Sequence, residues 1–307
     1  MLDPGGTFAC VPPPLEVTWT YGPSEVLDKL ADMNRTIILL AGLLAAVPVL
    51  FYLLARSESA RDHTPSGLGT GNSPITIYCA ASNQAVMEAI VADYRRQRGG
   101  NVFVNYGPSQ GLLSQIEVSR TGDLFLPADD SYLHMAQRRG LISEMFPIGT
   151  MRAVVIVQRG NPKAIHSFDD LLRDDVRWVQ ANPEAAAIGR ITELTWQRLG
   201  LSKAAEAATA AYRGNVTEAA ADVVIGSADA AIVYDCMEHN YPGLDIVELP
   251  ELKTAVSQFG VGLLSTSRHP AAAKQFVDYV TSPEHGLVRY REYGFHELPN
   301  DRPLTNP

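Results

Sequence analysis

From residue 75 onward the hydrophobic positions switch repeatedly between two periods. Ile75, Thr76, Ile77, Tyr78, Cys79 and Ala80 form a β-branched and apolar run that suits a buried strand. Ala85, Val86, Met87, Ile90, Val91 and Tyr94 then recur at helical spacing, with Ser82 where an N-cap belongs. The pattern repeats at once. Residues 101–106 read as a second strand, and residues 107–111 read as a turn. Leu112, Leu113 and Ile116 open a second helix with Ser109 at its cap. Two strand-to-helix turns at one edge of a parallel sheet place two helix N-termini and two hydroxyls on one crevice. Such a crevice suits an anion. Taken singly, each serine reads as a plain N-cap without a ligand.

The alternation continues to the C-terminal end. Strands are expected over 122–126, 153–157, 176–179, 230–234 and 258–264. Helices are expected over 131–139, from the Asn182-Pro183-Glu184 turn to Leu199 with Gly200 as the stop, over 202–212, and over 217–225. Ser167 and Asp170 carry the Ser-x-x-Asp cap signature. Two further helices close the chain, with Pro270 and Pro283 expected in their first turns. Strands and helices that alternate throughout predict an α/β fold with mainly parallel sheets. The stretch is longer than one ordinary domain requires, so two lobes and a hinge are expected. The boundaries read as 75–157 with 251–300 for lobe 1, 158–250 for lobe 2, and 301–307 as a tail. The hinge is expected near 155–159 and near 252–258.

Upstream the pattern is different. Residues 1–35 are rich in Pro and Gly without a sustained period, so little structure is expected there. Residues 36–55 are apolar and carry no charge. At about 1.5 Å per residue such a run spans roughly the 30 Å hydrocarbon core of a bilayer. It predicts one N-terminal transmembrane helix or a signal-type insertion. Ser57-Glu58-Ser59-Ala60 is a poor cleavage site, which favours an uncleaved single-pass anchor. Met33-Asn34-Arg35 also makes a natural short start to such a segment. Residues 56–74 are rich in Gly and Ser and read as a flexible linker. The globular part is then expected in the periplasm or extracellular space.

Composition narrows the class. The 307 residues carry a net charge of −9, which argues against a nucleic-acid partner. With 46% hydrophobic and 19% charged residues the chain is globular. Cys10, Cys79 and Cys236 form no CxxC, and the histidines form no HExxH pair. Without a Walker loop or a defensible acid–base pair, an enzyme is the weaker reading.

Over about residues 75–295 the chain resembles the molybdate-binding proteins of ABC importers, within the two-lobed periplasmic solute-binding proteins. The carriers are Ala80-Ala81-Ser82, the run from Pro108 through Ser109 to Ile116, and Gly122-Asp123-Leu124-Phe125 with Ala128-Asp129. Asn182-Pro183-Glu184, Ile232-Val233-Tyr234 and Tyr293-Gly294-Phe295 follow in order. The resemblance implies a site for molybdate or tungstate made of the Ser82 and Ser109 hydroxyls, the Tyr234 hydroxyl and backbone N–H groups at Val216 and Ile188. Ile188 is a departure, because the family uses a small residue there. Asp123 and Asp129 are motif positions read as structural. By itself Tyr234 would read as a core residue with a satisfied hydroxyl. Cys236, His239 and Tyr241 lack the adjacent tyrosine pair of the family's iron binders, so no direct cation site is expected. The resemblance further implies a monomer with no cofactor, an ABC permease with its ATPase subunit as partners, and transport as the role. A sulfate or other oxyanion binder, and a membrane-tethered oxyanion sensor, are the alternatives.

Physical chemistry agrees with an oxyanion. A tetrahedral dianion accepts hydrogen bonds and donates none, and stripping its water costs tens of kcal/mol in the Born limit. Each charge-assisted bond returns roughly 1.5–3 kcal/mol net, and each helix N-terminus offers about half a positive charge. Several helix ends and hydroxyls must therefore converge. A set of donors alone also disfavours protonated oxyanions such as hydrogen phosphate, whose proton needs an acceptor.

Overall fold

The computed structural model describes residues 73–298. The expected anchor at 36–55, the linker up to residue 72 and the tail at 301–307 lie outside the described residues. Among those described, no helix is long and apolar enough to cross a membrane.

The first half is built from strand-to-helix units. Strand β1 (Ile75–Ala80) leads through a 3-10 turn (Ala81–Asn83) into α1 (Gln84–Arg98). Strand β2 (Val102–Gly107) leads into α2 (Ser109–Ser119). Strand β3 (Leu124–Leu126) precedes α3 (Asp130–Arg138). β1 pairs parallel with both β2 and β3, which the intervening helices make possible as crossover connections. β4 (Ile142–Gln158) then runs from one half of the molecule into the other.

The second half continues with α4 (Phe168–Leu171), β5 (Trp178–Ala181), α5 (Ala187–Leu199) and α6 (Ser202–Ala208). β6 (Thr209–Arg213), α7 (Val216–Val224), β7 (Ala230–Tyr234) and β8 (Leu244–Val247) follow. β9 (Val256–Leu264) returns to the first half, where α8 (Pro270–Val280) and α9 (Gly286–Glu292) pack. The strand order is β2-β1-β3-β9-β4-β7-β5-β6, with β8 also on β4. β4 is shared. Its Ile142–Arg152 portion pairs with β9, and its Ala153–Val157 portion pairs with β7.

Several expectations need correction. The sheets are mixed: β1–β2, β1–β3, β5–β6 and β5–β7 are parallel, but β4 runs antiparallel to β7, β8 and β9. The chain crosses between halves on strands rather than through helices, and a direct return is antiparallel. The strand expected at 153–157 begins eleven residues earlier, at Ile142. Its first part carries register shifts at Ile142/Glu144 and Pro147/Gly149, which break the period-2 pattern. The helix expected over 202–212 ends at Ala208, and Thr209–Arg213 forms a strand. The alanines favour helix, but pairing with β5 prevails. α9 starts at Gly286, so Pro283 lies in the turn before it.

The core is continuous along the sheet, with Phe125, Trp178, Trp196, Tyr234, Phe259 and Phe276 almost fully buried. Tyr94 of α1 meets Phe276 and Tyr279 of α8 edge-on, with centroids 4.9 and 5.1 Å apart. Arg289 of α9 donates to Asp93 of α1 at 2.7 Å and holds that carboxyl below its usual range. These contacts fix α1, and with it the turn at Ser82. Asp123 accepts from Thr76 N–H at 2.8 Å and from the Ser267 hydroxyl at 2.6 Å, which ties β1, β3 and the end of β9 together.

Candidate functional site

Four chain segments converge on one small cavity: the turn after β1, and the starts of α2, α5 and α7. The C-terminal end of β7 adds Tyr234. Ser82, Ser109, Ile188, Val216 and Tyr234 all line this cavity, so the structure brings the five sequence-predicted residues together. The volume is about 20 Å³, on the scale of one or two water-sized bodies and too small for an extended organic substrate. Ala80, Ala128, Ala187 and Asn215 complete much of the wall, and no charged side chain contributes to it.

Each segment presents its group for a local reason. Ser109 is the first residue of α2, after an extended Pro108. Its oxygen accepts from Ala128 N–H at 3.1 Å. Ser82 sits inside the 3-10 turn, and its oxygen accepts from Asn83 Nδ2 at 3.2 Å. Neither serine caps its helix, contrary to the cap expectation. Ser109 Oγ spends a lone pair on a backbone amide, which can only donate, so its hydroxyl proton is left for the cavity.

The backbone donors arise at helix starts. Val216 is the first residue of α7, whose entry is held by Asn215: its side chain accepts from Glu218 N–H at 3.0 Å. Glu218 in turn accepts from Gly214 N–H at 2.8 Å and from Asn215 Nδ2 at 2.7 Å. Ile188 is the second residue of α5, after an extended Ala186. N–H groups in a first turn have no intrahelical acceptor and carry the positive end of the macrodipole. Gly189 lets this helix start lie against the end of β5, since a β-carbon there would meet backbone at Ala181, Asn182 and Pro183. Gln110 N–H donates to Ala185 O at 3.1 Å, which joins the start of α2 to the loop before α5, next to the lining residues Ser109 and Ala186.

Tyr234 is 1% exposed, and its hydroxyl lies 2.9 Å from Ser257 Oγ. Burial pushes its pKa well above that of a free phenol, so it keeps its proton at neutral pH. Cys79 and Cys236 are buried free thiols that burial likewise holds protonated. Asp129 is the N-cap of α3 and accepts from Ser131 N–H at 3.0 Å. Among the described residues no cluster of three His, Cys, Asp or Glu side chains could hold a metal.

Residues 107–111 spell Gly-x-Ser-x-Gly between a strand and a helix, the arrangement of a nucleophile elbow in hydrolases. A nucleophilic serine needs a base on its hydroxyl. Here the only partner of Ser109 Oγ among the described residues is the Ala128 N–H, which cannot take a proton. Sequence reasoning missed Asn83, Asn215 and Ser257. The Asn215-to-Glu218 spacing is a cap signature that could have been read, whereas nothing local marks Ser257.

Comparison with known proteins fits this geometry. Residues 75–296 match the family described as bacterial extracellular solute-binding protein. The molybdate-binding protein ModA of Mycobacterium tuberculosis is 30% identical over 257 residues, covering 81% of this chain and 94% of the relative. The Azotobacter vinelandii periplasmic molybdate-binding protein superposes with a TM-score of 0.64 at 17% identity, over 74% of this chain and 100% of that one. The sulfate-binding protein SubI of Mycobacterium tuberculosis also gives 0.64, at 18% identity, over 75% and 88% of the two chains. At those identities the two structures speak to fold alone.

Proposed function

The chain belongs to the bacterial extracellular solute-binding protein family, and from that premise we propose that it captures a tetrahedral oxyanion, molybdate or tungstate, for an ABC importer. The observation that carries this reading is the cavity lining: three hydroxyls and at least two helix-start N–H groups converge on about 20 Å³ with no charged side chain. Such a lining donates to a bound anion from every side. Ser82, Ser109 and Tyr234 supply side-chain donors, and Ile188 and Val216 supply backbone donors. Ile188 takes part through its N–H, for which its side-chain size is immaterial so long as the helix start keeps its place. The oxyanion is cargo, and no cofactor takes part.

The lobes in this reading are 75–157 with 251–300, and 158–250. The strand pairing of β4 changes from β9 to β7 between Arg152 and Ala153, close to the first boundary. The permease and its ATPase subunit are the expected partners. Residues 36–55 would hold the domain at the outer face of the cell membrane, in the periplasm or extracellular space, with 56–74 as tether.

Calorimetric titration with molybdate, tungstate, sulfate and hydrogen phosphate tests the assignment. One-to-one binding of molybdate and tungstate, tighter than of hydrogen phosphate by at least about tenfold, is expected. Tightest binding of sulfate would move the assignment to a sulfate carrier, and no binding of any of the four would refute an oxyanion site. Cell fractionation tests the tether. The intact chain should stay with membranes through a high-salt wash, and deletion of residues 1–66 should release it with its affinity unchanged.

A further inference from the structure

Three hydroxyl-bearing residues line the cavity, and the polarity of Ser109 is fixed by its partner. Ser109 accepts from the Ala128 N–H, which can only donate and so leaves the serine proton free, and Ser82 lies against the side-chain amide of Asn83. Tyr234 is different, because its partner at 2.9 Å is another hydroxyl, Ser257 Oγ, and either could donate. The surroundings decide. Ser257 is 0% exposed and has no other hydrogen-bond partner among the described residues. If Tyr234 gave its proton to Ser257, the Ser257 proton would be buried without an acceptor, which is costly. Tyr234 would then turn only lone pairs toward the cavity. If Ser257 gives its proton to Tyr234, its own donor is satisfied and the tyrosine proton is released to the cavity.

We propose that Ser257 is a positioning and selectivity residue: it donates to Tyr234 Oη and so fixes the tyrosine as a donor toward the bound oxyanion. The inference rests on the oxyanion reading above. With Ser257 in place Tyr234 joins Ser109 as a hydroxyl that presents a donor to the cavity. A fully deprotonated oxyanion satisfies such a lining, whereas a protonated one meets no acceptor. The tie is also well placed to persist. Ser257 pairs with Met151 and Tyr234 with Ala153, so both flank the three residues of β4 at which the chain crosses between halves. Motion of one half about that crossing leaves both partners beside the same backbone.

The test is calorimetric titration of the full-length protein with molybdate, on wild type, Ser257→Ala, Tyr234→Phe and the double variant. Ser257→Ala should weaken molybdate binding about five- to tenfold. In the Tyr234→Phe background the same change should cost less than about twofold, because the hydroxyl it orients is gone. The preference for molybdate over hydrogen phosphate should narrow in Ser257→Ala. Ser257→Cys, which keeps volume and a weak donor, should fall between alanine and wild type, and it serves if the alanine variant folds poorly. Wild-type affinity in Ser257→Ala, or an equal loss in both backgrounds, overturns the proposal. Failure of wild type itself to bind any oxyanion refutes the underlying reading instead, so the two failures are distinguishable.

Discussion

Replacing Ser82 or Ser109 by alanine should weaken molybdate binding about ten- to a hundredfold. Each change removes one hydroxyl donor to a buried dianion, and hydrogen bonds to charged groups contribute roughly 1.5–3 kcal/mol. Stability will not separate this from a purely structural role. Ser109 Oγ also receives the Ala128 N–H, and Ala128 is 4% exposed, so Ser109→Ala leaves a buried amide unpaired. That loss alone should cost about 1–3 kcal/mol of folding stability. Ser82→Ala strands Asn83 Nδ2 in the same way, and Asn83 is 0% exposed. Affinity is the readout that decides. If both variants melt earlier yet bind molybdate as tightly as wild type, the serines serve the fold only.

Gly189→Ala should cause the largest combined loss. A β-carbon at this position would collide with the Ala181 carbonyl oxygen and lie 2.7 Å from the Asn182 carbonyl carbon and the Pro183 nitrogen. All three are backbone atoms that no rotamer change can move. Overpacking of this kind typically costs about 1–3 kcal/mol, occasionally more. Relief requires the start of α5 to withdraw from the end of β5, and the Ile188 N–H moves with it. Affinity for molybdate should therefore fall at least about tenfold, together with a lower melting temperature. Gly200, at the other end of the same helix, is the matched control. It has φ of 71° and open space around it, so alanine there meets only backbone strain. Gly200→Ala should cost about 1–2 kcal/mol of stability and leave affinity unchanged. Calorimetry and thermal melting on the two variants check the contrast. Equal affinity in both would mean that the α5 start takes no part in binding.

Much of this architecture is legible in the sequence, and the exceptions share a cause. β1, β2 and the helices after them announce themselves because their apolar residues face one core with an unbroken period. The positions of Ser82, Ser109, Ile188, Val216 and Tyr234 on one cavity follow from the turns at the C-terminal ends of β1 and β2 facing those of β5, β6 and β7. β6 is hidden because Thr209–Arg213 follows an alanine-rich helix directly and becomes a strand only through β5. β4 is half hidden because register shifts interrupt its alternation before Gly149. The serines look like caps, yet the helix after Ser82 begins two residues later and Ser109 already lies inside its own. Ser257 is 23 residues from Tyr234 in sequence, and only β4 between them makes them neighbours.

In the proposed reading one oxyanion sits in this cavity and is held by uncharged donors alone. The most direct test is a crystal structure with molybdate, with anomalous data collected at the molybdenum edge. A single peak is expected in the cavity, with oxyanion oxygens about 2.5–3.2 Å from Ser82 Oγ, Ser109 Oγ, Tyr234 Oη and the Ile188 and Val216 nitrogens. A peak elsewhere, or one in the cavity whose oxygens are met by a lysine or arginine side chain, would contradict it.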